Sequence, residues 1–130
     1  MQQAINRFYS VQDSGDTPYA AALDMARSAI ANDVSSTSDT KYIVVFISDG
    51  VPDPAISDSA LVSRVNSVLN AKPGQVTLSS IYYGSYNQEA ADRLDMMAYY
   101  GHGGFLDANS SYGKTFQIES VIQVPGTVCN

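Results

Sequence analysis

Two oxygen-bearing side chains stand out by type and setting. Asp49 follows the apolar run Tyr42-Ile43-Val44-Val45-Phe46-Ile47 through Ser48, and Gly50 comes next. A carboxylate there sits where a buried strand must end, and Gly50 lets the backbone turn tightly beside it. Thr17 stands in Gly15-Asp16-Thr17-Pro18, directly ahead of a helical pattern. Its hydroxyl is a hard oxygen ligand on a short, stiff side chain. Hard cations such as Mg²⁺ take oxygen ligands, keep several waters and need only one or two carboxylates from protein. Cation binding is therefore one chemistry open to Thr17 and Asp49. The plainer roles are a turn after a strand for Asp49 and a helix N-cap for Thr17, worth about 1 kcal/mol. Asp16 and Asp53 are near in sequence and read as solvated loop acids.

Other chemistries find little support. His102 is the sole histidine and lies among glycines, in Gly101-His102-Gly103-Gly104. With no neighbouring Cys or second His, zinc ligation is not expected. A Ser-His-Asp arrangement lacks the Gly-x-Ser-x-Gly elbow that would expose a nucleophile. No glycine-rich phosphate loop is present either. Tyr82, Tyr83, Tyr99 and Tyr100 read as packing residues with hydroxyls at the surface. Cys129, the single cysteine, has no internal partner for a disulfide.

Composition narrows the class further. Thirteen acids against seven bases give a net charge of −6, which argues against a nucleic-acid groove lined by Lys and Arg. No polybasic run suits a membrane surface, and no apolar stretch reaches the roughly 18 residues of a spanning helix. The start, Met1-Gln2-Gln3-Ala4-Ile5-Asn6-Arg7, holds no apolar signal core. Abundant Ser, Tyr, Asn and Asp with little Lys give the chain a secreted or cell-surface flavour. A length of 130 residues fits a single domain over 1–130.

The elements that must position Thr17 and Asp49 follow from periodicity. Residues 19–31 place Leu23, Ala26 and Ile30 on one helical face. Asp16 or Thr17 is the expected N-cap, with Pro18 at the first helical position. Lys41 to Ser48 reads as a strand buried on both faces. Asp58 or Ser59 then caps a helix through Leu69, with Leu61, Val62, Val65, Val68 and Leu69 as its stripe. Val76 to Gly84 is a second strand. Asn87 caps a third helix whose core face is Ala90, Ala91, Leu94, Met97 and Ala98, ended by Gly101. Gly103 to Ala108 is a third strand, and Thr115 to Val124 suits either a helix or a strand. Asp33 to Thr40 reads as a surface loop. This order predicts an α/β fold: a Rossmann-like, doubly wound, mostly parallel sheet with helices on both faces and right-handed crossovers. Ligands of such sheets sit outside the carboxyl ends of the strands, where Asp49 lies.

Taken together, these segments resemble a known family. Phe46-Ile47-Ser48-Asp49-Gly50-Val51-Pro52 resembles the fourth-strand motif of von Willebrand factor A-type domains. Asp16-Thr17-Pro18-Tyr19-Ala20-Ala21-Ala22-Leu23 resembles their threonine loop and the helix after it. Ile81-Tyr82-Tyr83-Gly84 is similar to their fifth strand, residues 88–98 to the next helix, and Gly103-Gly104-Phe105-Leu106-Asp107-Ala108 to the sixth strand. The similarity covers about residues 10 to 120, and order and spacing carry it more than any one motif.

The resemblance implies a metal-ion-dependent adhesion site holding Mg²⁺ or Mn²⁺. Thr17 is implied as one ligand, and Asp49 as a second that reaches the metal through water. The family's third loop, Asp-x-Ser-x-Ser after the first strand, belongs upstream of residue 1. Asp33-x-Ser35-x-Thr37 has similar spacing but follows a helix, so it does not replace that loop. The expectation is thus a partial domain whose strand at 42–48 forms an exposed apolar edge. A complementary N-terminal fragment or self-association would cover it. The implied role is protein binding rather than turnover, the cation bridging to an acidic side chain of a partner, at the cell surface or outside the cell. One alternative is a metal-free half-domain serving assembly. Another is a strand-end aspartate hydrolase of phosphatase type, which needs Asp-x-Asp; Ile47 and Val51 stand at the relevant positions.

Overall fold

Helical and strand periodicities alternate along the chain, and the structure keeps that alternation. The computed structural model describes residues 16–85, 87–111 and 121–125. Helix α1 spans Tyr19–Ala31, strand β1 Tyr42–Ser48, helix α2 Asp58–Leu69, strand β2 Val76–Tyr82, helix α3 Gln88–Tyr100 and strand β3 His102–Asp107. A short 3₁₀ turn, Ala108–Ser111, follows. Gly15, residues 115–120 and Cys129 lie outside the described residues, and 121–125 form no helix or strand.

The three strands form one parallel sheet in the order β1-β2-β3. Tyr42 pairs with Val76 at one end of β1 and Ser48 with Tyr82 at the other. Each crossover between neighbouring strands carries one helix, as parallel pairing requires. β2 lies in the centre and is buried at every residue. Among the described strands β1 is an edge, in line with the exposed edge expected at 42–48, and the burial on both faces that its apolar run suggests is corrected: Ile43 and Ile47 are 39% and 53% exposed. An apolar run reports a preference for burial, but the number of neighbours is set by the rest of the sheet.

One face of the sheet carries the core. Tyr42, Val44 and Phe46 of β1, Val76, Leu78 and Tyr82 of β2, and Phe105 of β3 pack with Leu23, Leu61, Val65, Leu94 and Met97 of the helices. These strand residues alternate in register, so they share one face. Among the described residues all three helices lie on that face. On the other face, where no described helix lies, Thr77 and Ser79 bond to the backbone of residues 121–123. Each buried Leu or Val stabilises the fold by roughly 1.5–3 kcal/mol.

Helix starts differ slightly from expectation. Ser57, one residue early, caps α2 by accepting from the Ala60 N–H at 3.3 Å. Asn87 caps α3 through the Ala90 N–H at 3.2 Å, as the sequence predicts. At α1 the N-cap position is Pro18 itself, with no side-chain cap. Thr17 therefore does not cap the helix with its hydroxyl. No helix among the described residues is long and apolar enough to cross a membrane.

Candidate functional site

Asp49 and Thr17 are far apart in sequence and adjacent in the fold. β1 ends at Ser48, so Asp49 projects from the carboxyl edge of the sheet, where its side chain is exposed. The chain then turns back past the start of α1. The Asp53 N–H donates to the Thr17 carbonyl at 3.0 Å, and the Tyr19 hydroxyl donates to the Gly50 carbonyl at 2.7 Å. These bonds stitch the threonine loop to the aspartate loop. A Cβ placed on Gly50 would lie 3.7 Å from the Thr17 hydroxyl oxygen, so that hydroxyl stands over the turn.

The turn is built for close approach. Ser48 Oγ accepts from the Gly50 N–H at 3.3 Å, and the Ser48 carbonyl accepts from the Tyr83 N–H at 3.1 Å. Gly84 has φ 106° and passes so near that a Cβ on it would sit 3.0 Å from the Asp49 Cβ. Only glycine takes that conformation freely and leaves that room. Beside the turn, Asp16, Thr17, Tyr19, Phe46 and Ser48 line a groove of about 180 Å³ that opens toward the free side of β1.

Tyr19 is the residue sequence reasoning missed. It is 1% exposed and stacks edge-on against Phe46 with centroids 4.8 Å apart. Burial pushes its phenol above the ordinary value. It therefore stays a neutral donor to Gly50 throughout the physiological range. Nothing in the sequence marks it, because its partner lies 31 residues away and only the fold joins them.

The other candidates separate from this site. His102 opens β3 with φ 55° at the amino end of the sheet, opposite in register to Leu78. Asp107 does lie at the carboxyl edge but two strands away, and its carboxylate accepts from the Asn109 N–H at 2.9 Å. Asp33 Oδ1 accepts from both the N–H and the hydroxyl of Ser35, at 2.9 and 2.6 Å, and Oδ2 accepts from the Tyr42 hydroxyl at 2.8 Å. That carboxylate closes a turn, so the spacing Asp33-x-Ser35-x-Thr37 serves local structure. No family model matches the chain, and no curated protein or solved structure does so either.

Among the described residues, no hydrogen bond or ion pair engages the Asp49 carboxylate. No group of three or more His, Cys, Asp or Glu side chains gathers to hold a metal among them. The edge thus offers one exposed carboxylate, one hydroxyl and a groove. This donor set is all oxygen, the kind that suits a hard cation and leaves most of its shell to water or other groups.

Proposed function

We propose that this chain is the carboxyl-terminal part of a von Willebrand factor A-type module that binds a partner protein through a divalent cation. One observation carries the reading: Thr17 and Asp49 come together at the carboxyl edge of the open strand. The strand order supports it. In sheets ordered 3-2-1-4-5-6, the strands beyond the switch point run consecutively, and ligands bind at the carboxyl ends beside that point. β1-β2-β3, with its helices on one face, suits the second half of that order. The free edge of β1 is then the switch point, and Thr17 and Asp49 stand at its ligand end.

In this reading the Thr17 hydroxyl and the Asp49 carboxylate would hold Mg²⁺ or Mn²⁺. When bound, the cation supplies a positive centre whose oxygen shell a partner's carboxylate completes. The chain's own part is to hold the two donors. The Tyr19–Gly50 and Asp53–Thr17 bonds fix the loops that carry them, and Gly84 leaves the Asp49 side chain clear. The role is binding without turnover.

Calorimetric titration of the chain with Mg²⁺ and Mn²⁺ tests this. Binding should occur, and Thr17→Ala and Asp49→Ala should each weaken it by roughly 10-fold or more, since loss of even an outer-shell partner costs that much. A well-folded chain that binds neither ion would overturn the metal site. The metal-free assembly half-domain, consistent with the lack of an acidic cluster among the described residues, would then be the better reading.

A further inference from the structure

The free edge of β1 has a definite hydrogen-bonding phase. The Tyr42 N–H donates to the Gln75 carbonyl at 2.7 Å, and the Ser48 carbonyl accepts from the Tyr83 N–H. In a parallel ladder alternate residues bond to a given neighbour. Tyr42, Val44, Phe46 and Ser48 therefore bond toward β2. Ile43, Val45 and Ile47 direct their N–H and C=O groups outward, where no described strand lies. Unpaired, apolar edges of this length are templates for another strand.

The residues on that outward phase read Lys41, Ile43, Val45, Ile47, Asp49. This series is complementary to itself. A second copy, turned half a revolution about Val45, runs antiparallel to the first. Ile43 then meets Ile47 of the second copy, Val45 meets its own equivalent, and Lys41 meets Asp49 of the second copy. Each apolar pair falls at a position that exchanges both N–H···O bonds. Opposite charges meet at both ends, where Lys41 and Asp49 are exposed.

Helix α1 extends the same surface. Ala22, Met25 and Ala29 fall on one helical face and are exposed, Met25 by 74%. Ala22 also lines the groove beside Phe46 and Ile47, so this stripe is continuous with the strand edge. A two-fold axis through Val45 and normal to the sheet keeps both α1 helices on one side and brings the stripes toward each other. Small alanines permit a close approach.

We infer that a second copy of this chain pairs along β1, antiparallel and centred on Val45, to make a continuous six-stranded sheet. Such an interface is isologous, as a closed dimer requires. It does not rest on the metal reading, and testing it in EDTA keeps the two apart. Sedimentation equilibrium across the micromolar range should give a dimer. Lys41→Asp should weaken association by about tenfold, because symmetry places a like-charge pair at both ends of the ladder. Adding Asp49→Lys should restore it. Both positions are on the surface, and circular dichroism checks that each variant folds. The amides of Ile43, Val45 and Ile47 should exchange more slowly as concentration rises. A monomer at all concentrations, a dimer indifferent to the charge swap, or exchange at those amides unchanged by concentration would each overturn the inference. The last two would direct attention to another face.

Discussion

Asp33 shows how one side chain can imitate a site. Its types and spacing with Ser35 and Thr37 are those of a metal loop, yet its oxygens are taken by Ser35 and Tyr42. Asp and Ser close local turns with the same hydrogen bonds that hold ligands, so spacing alone does not separate the two uses. The hydroxyl of Ser35 foremost, then that of Tyr42 and the Ser35 N–H, hold the Asp33 carboxyl below the ordinary aspartate range. A depressed pKa in the folded state means that the ionised form is stabilised more in the folded chain than in the unfolded one. That contribution is fully present above the ordinary aspartate pKa and is lost as pH falls through the depressed folded value. Asp33→Asn should therefore lower the urea midpoint slightly at neutral pH. The gap from wild type should close as the solution is acidified below the ordinary aspartate range. The Asp33 side chain keeps contact with solvent, which screens its interactions and keeps the gap small. A gap that stays constant into strong acid would show that ionisation of Asp33 plays no part.

At the scale of elements, much was legible from periodicity. The expected helix over 19–31 is α1, the helix ending at Leu69 is α2, and the five residues read as the core face of the third helix are all buried in α3. What failed was non-local. The run at 41–48 by itself suggests burial on both faces; an exposed edge was legible only through the resemblance to a family with further strands, because it depends on strands far away in sequence. Thr17 read as an N-cap because Thr before a helix usually is one, whereas Pro18 takes that position and the loop bends to meet Asp53. The pairing of Thr17 with Asp49 was legible only through the ordered motifs, and the ties that enforce it, Tyr19 and Asp53, were not. Gly103 illustrates a signal visible in type but not in cause. In a strand it looks like a weakness; in the structure β3 runs so close to β2 that a Cβ on Gly103 would run into the Leu78 carbonyl, with Ser79 Oγ also 2.6 Å away. Backbone cannot give way as a flexible side chain can. Gly103→Ala should destabilise the fold by about 1–3 kcal/mol, the usual cost of overpacking. Chemical denaturation measures it, and a neutral result would mean that β3 can slide away from β2.

For the whole molecule, the two faces of the sheet are held by different physics. The helical face is an apolar core, with Leu61, Leu78, Leu94 and Met97 all fully buried. The opposite face is polar at its centre: Thr77 and Ser79 are buried and donate to the carbonyls of Gln123 and Val121 at 2.5 and 2.6 Å. Ser79 Oγ also accepts from the Gly104 N–H at 3.1 Å, so one hydroxyl joins β2, β3 and the 121–125 segment. Ser80, its neighbour, points to the helical face and donates to the Leu94 carbonyl at 2.6 Å. That carbonyl lies inside α3, where the helix supplies its own donor four residues on. The two serines are equally buried but differ in what their loss would strand. Ser79→Ala leaves the Val121 carbonyl and the Gly104 N–H without this partner in a dry setting, which costs about 1–3 kcal/mol. Ser80→Ala leaves a carbonyl that is already satisfied, so its cost should fall near the lower end of the roughly 0.5–1.5 kcal/mol net value of a hydrogen bond. Ser79→Ala should also speed amide exchange at Val121 to Val124 relative to the core helices, while Ser80→Ala leaves that segment unchanged. Equal destabilisation by both variants, with no selective exchange at 121–124, would mean that the segment is held by something other than the β2 hydroxyl. Uneven losses with selective exchange would identify the polar face as the separately opening part of the fold.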